Sequence, residues 1–316
     1  MKKVCIIISL NFFVLLVHAQ IKFVKCDNGI TIAYESFGRF NDPTVILING
    51  TSAPMTDWPL AFCKKIAANG YNVIRFDNRD AGASSKLDAL GQPDWAAIAP
   101  FVKTCKAAPL PYTLMDMARD VISLMKALNI TKAHIAGASM GGAIAQLIAI
   151  HYPDKLLSLT CMSASSGNPN LPPPNAGALK AMTTPPQTTN RDTLANYLVH
   201  TYQALGSTDD LETLKKKAFD VADHSWYPAG AARQVAAVLV ADNCDRRDDL
   251  AKIKVPAMII HGDSDPLVSL QAGKEVAAAI PGAELTIVPG MGHDLSTKFI
   301  EVIVNALVKN ADKVKR

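Results

Sequence analysis

The chain alternates between short runs of nearly continuous apolar residues and longer stretches in which apolar positions recur every three or four residues. The short runs cover residues 43–48, 71–76, 133–138, 156–162, 255–260 and 284–288. Runs of strand length with no polar alternation belong to a sheet covered on both faces, which is the environment of parallel strands. Helical spacing fills residues 58–68, 113–128 and 143–150, and again a final segment ending near Lys309. In the second of these, Met115, Met117, Val121, Leu124, Met125 and Leu128 fall on one face. Strands alternating with helices predict an α/β fold: a mostly parallel sheet with helices on both faces. Ahead of it, two β-rich runs, residues 21–26 and 30–34, flank Asn28-Gly29. That pair tolerates positive φ, so an antiparallel hairpin is expected at the sheet edge.

The rhythm breaks between residues 163 and about 234, where Pro172-Pro173-Pro174, Pro185-Pro186 and two or three helical patterns occur without a strand. A long excursion inside a compact domain usually carries function. It reads as a helical cap, residues 164 to about 235, inserted into one catalytic domain spanning residues 20–316. At the other end, Met1-Lys2-Lys3 precedes an apolar stretch from Val4 to Val17, and Val17-His18-Ala19 offers small residues before Gln20. That run of 14 residues, almost wholly apolar, falls short of the ~20 that span a bilayer as a helix. Residues 1–19 are therefore expected to be a cleaved signal peptide of an exported protein, periplasmic or secreted, with no membrane span after cleavage.

Composition narrows the partners. The net charge is +4, and without Lys2 and Lys3 the count is 30 basic against 28 acidic side chains. So small a balance predicts neither nucleic acid nor anionic membrane as a partner. Cys26, Cys63, Cys105, Cys161 and Cys244 remain after the leader. Their odd number and irregular spacing define no disulfide framework and no zinc site. Cys26 and Cys161 fall in strands as buried thiols, whereas Cys105 and Cys244 fall in loop-like stretches.

The chemistry gathers at the ends of the strands. Gly137-Ala138-Ser139-Met140-Gly141 lies between an apolar strand and a helix. In that setting a sharp turn presents the serine hydroxyl outward, with glycines relieving the crowding on either side. A serine needs a base. His134 begins its strand and faces the wrong end; His151 closes a helix; His200 and His224 sit in the insertion and are expected at the surface. His261 ends a strand and is expected to pack near the acid loop. His293, in Gly290-Met291-Gly292-His293 after the last strand, is the expected base. Its acid is expected to be Asp265, after the penultimate strand, with Asp263 assigned instead to backbone amides of the turn. The backbone N–H groups of Met140 and Thr51 are the expected oxyanion donors, with Gly50 allowing close approach.

These residues resemble the α/β-hydrolase superfamily, whose members carry Ser, Asp and His in this chain order. Residues 77–84, Asp-Asn-Arg-Asp-Ala-Gly-Ala-Ser, resemble the family's D-x-R-G-x-G-x-S turn, with Asp80 in the usual glycine position. That departure, Asn49-Gly50, and the Asp245-Arg246-Arg247 turn are similar to the aclacinomycin methylesterase-like branch. The resemblance implies hydrolysis of a small carboxylic ester through an acyl-enzyme, with no metal or organic cofactor. Lactone, C–C and thioester hydrolysis use the same parts. An aminopeptidase would need an acidic pocket, for which Asp209, Asp210 and Glu212 are the sequence candidates, although they also read as a solvated helix start. A non-catalytic binding module would have lost one of the three residues. Trp226, Tyr227, Met182 and Leu171 are candidates to line a pocket or to form cap core.

Overall fold

The computed structural model describes residues 20–314 except 103, 187, 189 and 225, so the leader at residues 1–19 lies outside the described residues. The strands are β1 (Lys22–Lys25), β2 (Thr31–Phe37), β3 (Thr44–Ile48), β4 (Asn72–Phe76), β5 (Ala133–Ala138), β6 (Leu156–Met162), β7 (Ala257–Gly262) and β8 (Glu284–Val288). They form one sheet in the order β1-β2-β4-β3-β5-β6-β7-β8. Pairing is antiparallel for β1–β2 and β2–β4 and parallel elsewhere. The hairpin is the one expected: Gly29 turns at φ 86°, and the Asn28 side chain accepts from the Ile30 N–H at 3.2 Å.

The helices are α1 (Leu60–Ala68), α2 (Trp95–Ile98), α3 (Leu114–Ala127), α4 (Met140–His151), α5 (Ala176–Thr183), α6 (Arg191–Ala204), α7 (Leu211–His224), α8 (Pro228–Ala241), α9 (Arg247–Leu250), α10 (Leu270–Ala279) and α11 (Ile300–Ala311). Successive residues of β3 show why its sequence has no polar alternation. Val45 and Leu47 pack with Phe62 of α1 and Ile303 of α11. Ile46 and Ile48 pack on the other face with Leu124 of α3, Ile144 of α4 and Val276 of α10. A reciprocal cap between Thr113 and Asp116 fixes the start of α3. After β3 the chain winds toward one edge, and from β5 it winds toward the other. The crevice beyond the carboxyl ends of β3 and β5 is therefore a topological switch point, where α/β sheets place ligands.

Two expectations need correction. Helix α4 begins at Met140, three residues before the start expected from spacing, because Gly141 and Gly142 occupy its first turn. Between β6 and β7 lie five helices, α5 to α9, and the fourth of them, α8, runs on to Ala241. Helices α6 and α7 share an apolar centre of Leu194, Leu198, Tyr202, Leu214 and Val221.

Buried charge ties these helices to the sheet. Arg233 of α8 makes a bidentate pair with Asp80, at 2.8 and 2.9 Å, and both side chains are essentially inaccessible. Asp80 occupies the left-handed region at φ 63°, where the usual glycine would adopt the fold but offer no counter-charge. His224, at the end of α7, is buried rather than on the surface, with its Nε2 2.8 Å from Asp77. Asp77 also accepts the N–H groups of Met55 and Ala83 at 2.6 and 2.7 Å. Lys217 of α7 reaches Asp294 at 2.5 Å and Asp57 at 3.4 Å. Cys105 and Cys244 form a disulfide across 139 residues of sequence, joining the loop after α2 to the end of α8, while Cys26, Cys63 and Cys161 are buried thiols. No helix among the described residues is long and apolar enough to cross a membrane.

Two stability predictions arise. Arg233→Met leaves the Asp80 carboxylate buried without its counter-charge, and should cost about 3–5 kcal/mol in urea unfolding. Replacing Cys105 and Cys244 by alanine should cost about 2–4 kcal/mol, since the bridge closes a long loop of the unfolded chain. An unfolding midpoint unchanged by either substitution would contradict the corresponding assignment.

Candidate active site

Strand β5 ends at Ala138 and the chain turns at Ser139, whose φ of 56° and ψ of −122° lie where non-glycine residues are rare. The turn is held on both sides. The Ser139 N–H donates to the Met162 carbonyl at 2.9 Å, and the Ser139 carbonyl accepts from Gly142 and Ala143 at 2.8 and 3.1 Å. A methyl group on Gly137 would strike the Gly141 carbonyl, and one on Gly141 would strike the Ile48 carbonyl. Three backbone segments thus cross at Ser139, and only hydrogen fits between them. Gly50 brings the loop after β3 alongside: a Cβ placed there would sit 3.4 Å from the Ser139 Cβ and 3.9 Å from its Oγ. Met140 supplies the first N–H of α4, a position with no intrahelical acceptor. Thr51 follows Gly50 and lines the same cavity as Ser139.

His293 comes from the loop after β8. Its N–H donates to the Leu205 carbonyl at 2.7 Å, and its Nδ1 lies 2.8 Å from Asp265 Oδ2. The other Asp265 oxygen accepts from the Leu267 and Val268 N–H groups at 2.9 and 2.8 Å. A carboxylate that only accepts fixes the imidazole proton on Nδ1 and leaves Nε2 as the basic nitrogen. Burial opposes the imidazolium, but the Asp265 charge and hydrogen bond, with Asp294 and Asp242 beyond, outweigh it and hold His293 above its ordinary pKa. Burial likewise opposes the Asp265 carboxylate, yet His293 and the Val268 N–H keep it below the usual carboxylate range. Ser139 and His293 line one cavity, without a hydrogen bond between hydroxyl and ring among the described residues.

The other candidates fall elsewhere. His261 is fully buried, with its Nε2 2.9 Å from the Val268 carbonyl and 3.6 Å from Asp265. Burial lowers its pKa, so it stays neutral beside the acid. Asp263 accepts the Gly290 N–H at 2.7 Å, as expected of a turn carboxylate. His134 bonds Ser158 at the opposite end of β5, and His151 and His200 are exposed. Asp210 caps α7 through the Thr213 N–H at 2.8 Å, and Asp209 accepts from Thr297 at 2.8 Å. Neither those two nor Glu212 lines a cavity at Ser139.

Two cavities open on Ser139. The first runs beneath α6 and α7 past Trp58, Tyr197, Leu198 and Trp226. The second runs past the triple proline to Leu171, Val238 and Leu267. Thr51, Ser139 and Met182 belong to both. Tyr227 lines neither and instead bonds Asp88 and Arg233. Sequence reading missed Gln234 of α8. Its Oε1 accepts the Ser52 N–H at 2.7 Å while its amide N–H donates to the Arg79 carbonyl at 2.7 Å, which fixes the loop carrying Thr51. No local pattern marks a glutamine whose partner lies 182 residues away.

Comparison with known proteins agrees with this architecture. A family model described as the alpha/beta hydrolase fold matches residues 43–297. A rhodomycin D methylesterase of Streptomyces sp. (strain C5) is 28% identical over 301 residues, covering 88% of this chain and 94% of that protein. A rhodomycin D methylesterase of Streptomyces peucetius is 27% identical, with 89% and 95% coverage. Among solved structures, a hydrolase from Pseudomonas aeruginosa PA01 superposes with a TM-score of 0.69 at 23% identity, covering 92% of this chain and 97% of that one. With an eight-stranded sheet of this order and a family match over most of its length, the chain belongs to the alpha/beta hydrolase fold family.

Proposed function

We propose that the protein is a serine esterase that cleaves a small-molecule carboxylic ester through an acyl-enzyme. One observation carries the reading: Ser139, on its strained turn, shares a cavity with an imidazole whose Nδ1 is held by a buried carboxylate. The ester class draws support from the relatives named as methylesterases.

In this scheme Ser139 Oγ attacks the ester carbonyl and His293 Nε2 takes the hydroxyl proton. The oxyanion is met by the N–H groups of Thr51 and Met140, and Asp265 stabilises the imidazolium. On collapse the alcohol leaves with the proton from His293. Water then attacks the acyl-enzyme with His293 again as base, releasing the acid and restoring the serine. The gap between hydroxyl and ring closes when substrate fills the cavity, as catalytic hydrogen bonds commonly tighten in the Michaelis complex. The helical insertion acts as a cap that shapes the pocket. We also propose export: the Cys105–Cys244 bridge suits an oxidising compartment, in keeping with the leader expected at residues 1–19.

Ser139→Ala and His293→Ala should each reduce kcat for p-nitrophenyl esters by about 10³-fold or more. Labelling by a fluorophosphonate probe should disappear in Ser139→Ala. Retained labelling there would remove Ser139 as nucleophile. The pH dependence has a definite sign. A base whose pKa is raised stays protonated to higher pH, so kcat/KM should climb through an apparent pKa above the ordinary imidazole value of about 6.5. Asp265→Asn should move that limb to lower pH and cut kcat by up to about 10⁴-fold. A limb unmoved by Asp265→Asn would show that another group titrates.

A further inference from the structure

Two loops that serve the site meet on one ammonium. The loop after β3 runs from Thr51 into the 3₁₀ turn Met55–Asp57, and the loop after β8 carries His293 and Asp294. Lys217 of α7 stands between them, 2.5 Å from Asp294 Oδ1 and 3.4 Å from Asp57 Oδ1. Asp294 is buried and Lys217 mostly so. The Tyr202 ring centre lies 4.2 Å from the ammonium, and its hydroxyl donates to Asp57 at 3.3 Å. The Ser296 hydroxyl donates to the other Asp294 oxygen at 3.4 Å. Asp294 lines the cavity at Ser139, Lys217 lines a neighbouring cleft, and Asp57 lines both.

The other basic groups of that cleft are engaged elsewhere. Lys216 pairs with Asp220 at 2.9 Å, Arg75 with Glu35 at 2.7 Å, and His224 with Asp77 at 2.8 Å. Burial opposes the Lys217 ammonium, but Asp57 and Asp294 outweigh it and hold its pKa above the ordinary lysine value. The ammonium therefore persists throughout the range in which an imidazole titrates. Such a buried contact punishes misplacement, because a loop that drifts leaves its carboxylate without a counter-charge.

The consequence at His293 is electrostatic as well as geometric. Four groups act on its ring: Asp265 from the loop after β7, Asp294 from its own loop, Asp242 from the end of α8 and His261 from the end of β7. Of the three carboxylates, Asp294 is the one in an ion pair with a lysine. Removing Lys217 leaves the ring beside an uncompensated Asp294, whereas removing Asp294 takes that charge away.

We propose that Lys217 is a positioning residue for the reaction at Ser139: its ammonium fastens the His293 loop to the Thr51 loop through Asp294 and Asp57, and so sets how imidazole and oxyanion donors approach one carbonyl. That a reaction takes place there rests on the serine-esterase reading; the tie between the loops does not.

The test is the pH titration of the His293 imidazole, followed by NMR through the signal lost in His293→Gln, beside the pH profile of p-nitrophenyl ester hydrolysis. Lys217→Met should move the titration and the limb of kcat/KM to higher pH, because an unpaired negative charge near the ring favours the imidazolium. Asp294→Asn should move both to lower pH. The double variant lacks the buried unpaired Asp294 charge and should titrate with Asp294→Asn rather than with Lys217→Met. In Lys217→Met kcat should drop about 10- to 100-fold, the range that misplacement of a reacting group by about 1 Å can cost. Lys217→Arg should recover most of that loss. An unchanged kcat in Lys217→Met overturns the assignment. Should Lys217→Met fail to fold, Asp294→Asn and the double variant decide, and a wild-type titration in both overturns it equally. Absent hydrolysis and labelling in the wild-type protein would defeat the esterase reading and leave the imidazole titration to decide the tie.

Discussion

Everything at the site is registered against the crossing of three backbones at the β5–α4 turn. Ser139 is held at positive φ because the end of β3, the start of α4 and the end of β6 each fix one side of it. Such a conformation costs about 1–3 kcal/mol and persists only when its surroundings over-determine it. Here the determinants are a ladder partner at Met162, two helix-initiating hydrogen bonds and two glycines whose missing side chains let carbonyls approach. The strain is thus spread over long stretches of sheet that are themselves covered on both faces. Rigidity at Ser139 is a consequence of core packing.

The second constraint is electrostatic. Four polar side chains of the helices between β6 and β7, Lys217, His224, Arg233 and Gln234, reach to the loops that follow β3, β4 and β8. Buried ion pairs gain little net stability over apolar replacements, because desolvation offsets attraction, but they punish mispairing severely. Their effect is therefore geometric: these helices pack in one register, and in that register Gln234 aligns the loop of Thr51 while the Leu205 carbonyl holds the His293 backbone. The placement of these helices and the geometry of the site are set together.

How much of this was legible in sequence depends on the range of the interaction. The strands, the hairpin and the turn at Ser139 are written in local patterns, and α3 announces itself through Thr113 and Asp116. His293 and Asp265 could be chosen because chain order and strand ends restrict the possibilities; their 2.8 Å contact follows from topology. The start of α4 was misjudged because glycine signals a break, whereas here it permits a crossing. His224 was misjudged because a histidine ending an amphipathic helix looks solvent-facing until Asp77, 147 residues away, is placed beside it. The disulfide was unreadable for the same reason. Asp80 was visible as a departure from the family pattern, but its meaning lay in Arg233.

The histidine pair around Asp265 shows how burial sorts similar groups. His261 and His293 both approach the same carboxylate oxygen, at 3.6 and 2.8 Å. His261 has its Nε2 engaged by the Val268 carbonyl and its Nδ1 buried without a partner among the described residues, so desolvation wins and the ring remains neutral. His293 has one nitrogen on the carboxylate and its ring at the cavity, so attraction wins and the ring accepts a proton readily. Asp265 can serve only one imidazolium, and the second ring, by staying uncharged, does not compete for it. Any side chain at position 273 in place of glycine would displace the His261 ring, because a Cβ there meets it. The glycine of α10 thus leaves room for the second ring to pack against the Val268 carbonyl rather than on the carboxylate.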